Sequence, residues 1–169
     1  AVRESPSENQ APDPEEALIK QAAARLKAAR CPAILVGGGT LSATGPLRQL
    51  AEQLQAPVIS TISARGVLSD DHPLSYTVLA GQHIWEHVDV ALVVGTRFTA
   101  PALSWGRLGE MDVVRIDIDP DAVSRPVGSS VEIVTSADKG LSALLAALEP
   151  GPADREAYLA FCAEADRAV

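Results

Sequence analysis

The chain has 169 residues, with 22 acidic against 14 basic side chains, for a net charge of −8 and a pI near 4.8. That balance argues against a nucleic-acid or anionic-membrane surface, which needs clustered Lys and Arg, and the length suits one well-buried domain rather than two full-sized ones. A hydrophobic share of 47% with only 4% aromatics points to a core of Ala, Val, Leu and Ile, common where helices pack closely on a parallel sheet.

Residues 1–12 are polar and then proline-stiffened, and they read as an interdomain linker. Asp13 is expected to cap the first helix, with Pro14 at its first position and Glu16 completing a capping-box-like pair. That helix runs to about Arg30 and buries Leu18, Ala22, Leu26 and Ala29. Ala33-Ile34-Leu35-Val36 has no polar interruption and predicts a strand buried on both faces, ended by Gly37, Gly38 and Gly39. A helix follows from Thr44-Gly45-Pro46, with Leu47, Leu50, Ala51 and Leu54 on one face.

Pro57 to Thr61 is a second short strand whose end is expected near the glycine turn. Turn-rich stretches and a brief helix or irregular segment from Leu79 to His87 lead to Val90-Ala91-Leu92-Val93-Val94, where the first pattern repeats: apolar run, then Gly95, Thr96 and Arg97. Thr99 to Met111 is a long connection, Val113 to Asp119 a fourth strand with its exit, and Val131 to Val134 a fifth. Ser136 is expected to cap a helix carrying Leu141, Leu144, Leu145 and Leu148, stopped by Pro150-Gly151-Pro152. Residues 151–169 read as a C-terminal helix, with Tyr158, Leu159 and Phe161 along one side, or as a link to a following domain.

Strands alternating with helices, each strand almost wholly apolar, call for an α/β fold over residues 13–150. This is an open parallel sheet covered by helices on both faces. Ligands of such sheets bind outside the carboxyl ends of the strands, where Gly37 to Thr40, Thr61, Gly95 to Arg97 and Asp117 to Asp119 all fall.

Gly37, Gly39 and Ser42 make a G-x-G-x-x-S close to the dinucleotide fingerprint, but the next strand ends in Ser60, Thr61 and Ser63 rather than in a ribose-holding acid. The turn is read either as a phosphate cradle or as a device for tight packing. Arg97 suits a phosphate or a structural ion pair. Asp117 and Asp119 suit a ribose acceptor and a turn cap better than an acid–base pair. His83-Ile84-Trp85-Glu86-His87 matches H-x-x-E-H, but its segment is too short for a supported metal site, and exposed histidines explain it better. Cys31 and Cys162 have no metal-like spacing and suggest no disulfide framework, which fits a reducing cytoplasm. With no nucleophile elbow and no Walker loop, no catalytic residue is assigned.

Taken in order, Pro32-Ala33-Ile34-Leu35-Val36-Gly37-Gly38-Gly39, Pro57-Val58-Ile59-Ser60-Thr61, Gly66 followed by Asp70-Asp71-His72-Pro73, Asp89 to Phe98, and Ile116-Asp117-Ile118-Asp119-Pro120 resemble the central domain of thiamine-diphosphate-dependent enzymes of the acetolactate synthase and 2-keto acid decarboxylase group. The resemblance covers about Pro12 to Leu148. It implies a Rossmann-like open parallel sheet of about six strands with helices on both faces, serving as a non-catalytic, structural domain between flanking domains that bind thiamine diphosphate and Mg²⁺, in a cytoplasmic homo-oligomer that makes or breaks bonds beside a 2-keto carbonyl. In some members the central domain holds FAD, in others ADP or the nucleotide portion of coenzyme A. The flavin-type contacts would fall on Gly37, Gly38, Gly39, Thr61, Ile62, Gly95, Thr96, Arg97, Asp117 and Ile118. This chain has Ala80-Gly81-Gln82-His83 where flavin-binding members have Gly-Met-His-Gly, and Ser136-Ala137 where they have Gly-Asp. The alternative is a self-sufficient NAD-dependent deacylase of sirtuin-like fold.

Overall fold

All five apolar runs form strands, and a sixth joins them. The computed structural model describes residues 10–149 and 154–169. Its strands are β1 (Pro32–Val36), β2 (Val58–Ser60), β3 (Ser75–Thr77), β4 (Val90–Val94), β5 (Asp112–Asp117) and β6 (Val131–Val134). They make one parallel sheet in the order β3-β2-β1-β4-β5-β6. The helices are α1 (Glu16–Ala28), α2 (Thr44–Leu54), α3 (Val78–Trp85), α4 (Thr99–Ser104), α5 (Pro120–Val123), α6 (Ala137–Ala147) and α7 (Glu156–Arg167). The chain works outward from β1 in one direction and then from β4 in the other, so the strand order reverses between them.

Every residue of β1 and β4 is buried, because both faces of the sheet are covered. Alternation sends Ile34 and Val36 to the face covered by α1, α2 and α6, where Leu26, Leu47, Leu50, Leu141 and Leu144 meet them. Ala33 and Leu35 face the other way, toward Ile84, Trp85, Tyr158 and Cys162 of α3 and α7. Burial pushes the Cys162 thiol up to about 12, as expected of a core residue. α7 therefore completes the second core layer rather than lying loosely on the surface.

β3 is the strand that periodicity did not locate. Its three residues contain one apolar side chain, the buried Tyr76, and so carry no alternation to read. The start of α1 also differs from expectation. The helix begins at Glu16 behind Glu15, which makes no side-chain cap, and it ends at Ala28. Asp13 instead pairs with Lys139 at 2.8 Å, which holds its carboxyl below the usual range. Lys139 Nζ also donates to Ala11 O (2.8 Å), and Thr135 Oγ1 donates to Pro12 O (2.6 Å). These contacts tie residues 11–13 to the start of α6. Leu18 is only half-buried, and Ile19 takes its place in the core beside Ala22, Ala23 and Leu26. Residues 1–9 of the expected linker, and Pro150-Gly151-Pro152, lie outside the described residues.

Candidate nucleotide site on the carboxyl rim

Register makes the strand ends level, with Val36 beside Val94 and Val94 beside Ile116. Just beyond them, backbone hydrogen bonds stitch the exits together. Thr61 N donates to Val36 O, Gly37 N to Val94 O, Gly95 N to Ile116 O and Thr135 N to Asp117 O, each at 3.0 Å. Gly37 to Thr40, Thr61, Gly95 to Arg97 and Asp117 thus share one rim, as the parallel topology requires.

What the glycines do there is specific. Gly39 N donates to Gly95 O (3.1 Å), and a Cβ on Gly37 would collide with Gly95 O and come within 2.5 Å of Thr96 Cβ. Gly95 sits at φ +57°, and a Cβ on it would lie 2.8 Å from Gly39 Cα. The two glycine turns are a backbone-to-backbone joint. Gly38 to Thr40 then form a short 3₁₀ turn closed by Thr40 Oγ1 on Gly37 O (2.6 Å), and α2 starts only at Thr44. The N–H groups of Gly37, Gly39 and Gly95 are therefore engaged with the neighbouring loop or strand. Gly38 stands outside the joint, facing the Ser63 side chain with ordinary space.

The remaining candidates divide between two clefts. One, of about 270 Å³, is lined by Arg97, Thr99, Asp119, Asp121, Arg125 and Pro126. The Arg97 side chain is exposed and makes no ion pair among the described residues. Asp119 caps α5 by accepting from Asp121 N (2.9 Å), while Asp117 accepts from Asp119 N (3.0 Å). Asp117 and Ile118 are half-buried, and desolvation raises the Asp117 carboxyl above its usual range despite the nearby Arg115. The two carboxylates serve the turn and the cap.

The other cleft, of about 820 Å³, lies between the exits of β2 and β3 and the α4 and α7 segments, with Thr61, Ile62, Thr77, Leu79 and Trp105 in its walls. Ser60 is also in its lining, with its Oγ buried and without a hydrogen-bond partner.

Arg115 was missed by sequence reading. Its guanidinium, fully buried, donates to Thr96 O (2.8 Å) and to Arg125 O and lies 5.5 Å from the Phe98 ring centre. It holds the β4 exit against the loop after α5, so it shapes the cleft that Arg97 lines. Burial lowers its pKa, with Asp117 and Glu132 opposing. A lone arginine inside an apolar strand was the available signal.

His83 and His87 are exposed, and the His87 ring lies 4.2 Å from that of Phe161. Among the described residues no group of three or more His, Cys, Asp or Glu side chains could hold a metal ion, and no helix is long and apolar enough to cross a membrane.

Comparison with known proteins gives this geometry a family. A model described as thiamine pyrophosphate enzyme, central domain, matches residues 19–144. The chain is 36% identical over 137 residues to Probable 2-ketoarginine decarboxylase AruI of Pseudomonas aeruginosa, covering 77% of this chain and 24% of that protein. It is 32% identical over 153 residues to the acetolactate synthase isozyme 1 large subunit of Escherichia coli, covering 84% of this chain and 27% of that protein. Among solved structures, an enzyme assigned to the thiamin diphosphate-dependent group and isolated from Mycobacterium smegmatis superposes with a TM-score of 0.72 at 26% identity, over 92% of this chain and 31% of the other. The chain thus spans 24% and 27% of the length of those two curated relatives, and the sirtuin-like alternative finds no support here. With the strand order, the level rim and the interlocked glycine turns in agreement, the chain belongs to the central-domain family of thiamine pyrophosphate enzymes.

Proposed function

We propose that this chain is the structural middle domain of a longer thiamine-diphosphate-dependent enzyme acting on 2-keto acids, with flanking domains that bind the thiamine diphosphate and Mg²⁺. The observation that carries this reading is the joint between the two glycine turns. Its N–H groups, which a diphosphate-binding fold would aim at the ligand, are engaged within the protein. The residues present do not fit thiamine diphosphate with its metal, since the chain has no Gly-Asp-Gly segment and the described residues contain no metal-binding group. Its own work is to hold the flanking domains and to support a homo-oligomer in the cytoplasm.

A second reading, FAD or ADP on the carboxyl rim, is favoured by the exposed Arg97 guanidinium beside the Asp119 cleft. Of the ten candidate contacts, Gly37, Gly39 and Gly95 already belong to the joint. Gly38, Thr61, Ile62, Thr96, Arg97, Asp117 and Ile118 would do the holding. Calorimetric titration of FAD, ADP and coenzyme A into the chain tests both readings. The expected affinity is weaker than about 0.1 mM for each, with no turnover of 2-keto acids by the chain given thiamine diphosphate and Mg²⁺. Submicromolar FAD binding, or a yellow purified protein, would make the rim a flavin site instead.

A further inference from the structure

We propose that the larger cleft beside β3 is a binding site for a free basic amino acid, an inference that goes beyond the middle-domain reading above and does not depend on it. The cleft encloses about 820 Å³, a size usual for sites that hold small organic ligands. Three charged side chains line it: Arg65 after the β2 exit, Asp70 on the connection to β3, and Asp166 in the last turn of α7. All three residues are exposed, and none of their side chains forms an ion pair or a hydrogen bond among the described residues. Tyr76, Leu79 and Trp105 supply apolar wall to the same cleft.

The charges select the ligand. Two carboxylates and one guanidinium are the complement of a molecule that carries two cationic groups and one carboxylate, which is the state of free lysine or arginine at neutral pH. A nucleotide diphosphate brought to this cleft would meet two carboxylates and a single guanidinium, so the same groups that attract a basic amino acid repel a polyanion. The net charge of −8 acts in the same direction, because it draws cations toward the protein.

The walls suit a methylene stem with a cationic tip. Trp105 is half-buried, and its ring meets Trp85 edge-on with centres 5.5 Å apart. Trp85 is itself fully buried and donates from Nε1 to the carbonyl of Gly106 (3.4 Å), the residue after Trp105. The Trp105 indole is therefore held in place before a ligand arrives, which lowers the ordering cost of binding, and indole faces attract ammonium and guanidinium groups. Tyr76 is uncharged in the same wall. Burial first, then the nearby Cys162 and Asp166, pushes its hydroxyl up to about 12, and that hydroxyl donates to Pro73 O (3.2 Å). The stem of a basic amino acid can lie along Leu79 and these rings while its charged ends stay with Arg65, Asp70 and Asp166.

The test titrates L-arginine calorimetrically into the full-length polypeptide. The comparison probes are L-norvaline, which lacks the side-chain cation, and agmatine, which lacks the carboxylate. L-arginine is expected to bind with a Kd below about 1 mM, and each comparison probe about tenfold or more weakly. Asp166→Asn, at an exposed position, is expected to weaken L-arginine by about tenfold. Arg65→Gln is expected to do the same while leaving agmatine unchanged, a selective loss that general damage to the fold would not produce. A Kd for L-arginine above about 1 mM, equal binding of either comparison probe, or unchanged affinity in either variant would overturn the proposal. Thiamine-dependent turnover of a 2-keto acid by the same polypeptide is read separately. Its absence alongside the expected binding removes the middle-domain reading and leaves the cleft assignment standing, and turnover without L-arginine binding does the reverse.

Discussion

The amino and carboxyl rims of the sheet are finished by different chemistry. At the amino rim, side chains close the structure. Asp89 accepts from the N–H groups of Arg30 (2.7 Å) and Cys31 (3.0 Å), Tyr158 donates to Pro32 O (3.2 Å), and Ser130 Oγ donates to Asp112 (2.7 Å). Arg155, 7% exposed, donates to Leu54 O and to Ala29 O (2.7 Å). At the carboxyl rim the backbone also closes on itself through Gly37, Gly39 and Gly95, and exposed apolar side chains such as Ile62 and Leu79 stand there together with the exposed Arg97. The difference follows from where the helices end. α1 and α2 both finish at the amino rim, where their last carbonyls lack helical partners and a buried side chain must supply the donor. At the carboxyl rim the demand is for acceptors at helix starts, and the side chains of Thr77, Asp119 and Ser136 meet it by accepting from Ala80 N, Asp121 N and Lys139 N.

Four substitutions, one of them a control, would break or sharpen this contrast. The largest effect is expected from Arg155→Ala, which leaves two buried carbonyls without their charged donor, and we expect a loss of about 3 kcal/mol in urea unfolding. A loss below about 1 kcal/mol would mean that the amino rim is not locked as described. Next is Gly37→Ala, whose methyl group enters the joint against Gly95 O and Thr96, with an expected loss of about 2 kcal/mol. Gly45→Ala is its control: nothing lies within 4 Å of that position, and stability should change by less than about 0.5 kcal/mol. Equal effects would dissolve the joint.

The smallest effect concerns Asp117. Burial raises its carboxyl, so the folded protein binds that proton more tightly than the unfolded chain does. The stability from this group is therefore fully present below the unfolded-state pKa of ~3.9 and falls as pH rises through the folded value. Asp117→Asn keeps an acceptor for Asp119 N and removes the charge. Thermal melts should show the variant more stable at neutral pH, with the advantage shrinking as pH is lowered through the carboxylate range. An advantage that grows on acidification would show that the carboxylate is stabilised in the fold instead.

Much of the fold was legible because β1 and β4 are apolar without interruption and α2 keeps its four core residues on one stripe. Other features were written in contacts between distant residues. The Asp13 capping signature was locally sound, yet Lys139 and Thr135 drew that segment elsewhere. Three glycines after a strand do not say what they pack against, and only the tertiary structure brings Gly95 beside Gly39. Arg115 sat in plain view, but its role needed Thr96 and Arg125 brought to its guanidinium.

By itself, then, the amino-acid order determined that strands and helices alternate, that β1, β4 and the inner stripe of α2 are core, and that the polar loops collect at one end of a parallel sheet, because periodicity and direction are local properties of the chain. Tertiary structure alone decided that the glycine turns grip each other, that residues 11–13 fasten onto α6, and that Arg65, Asp70 and Asp166 line one cleft. Each of those depends on which distant segments the packing of the sheet and its helices sets side by side.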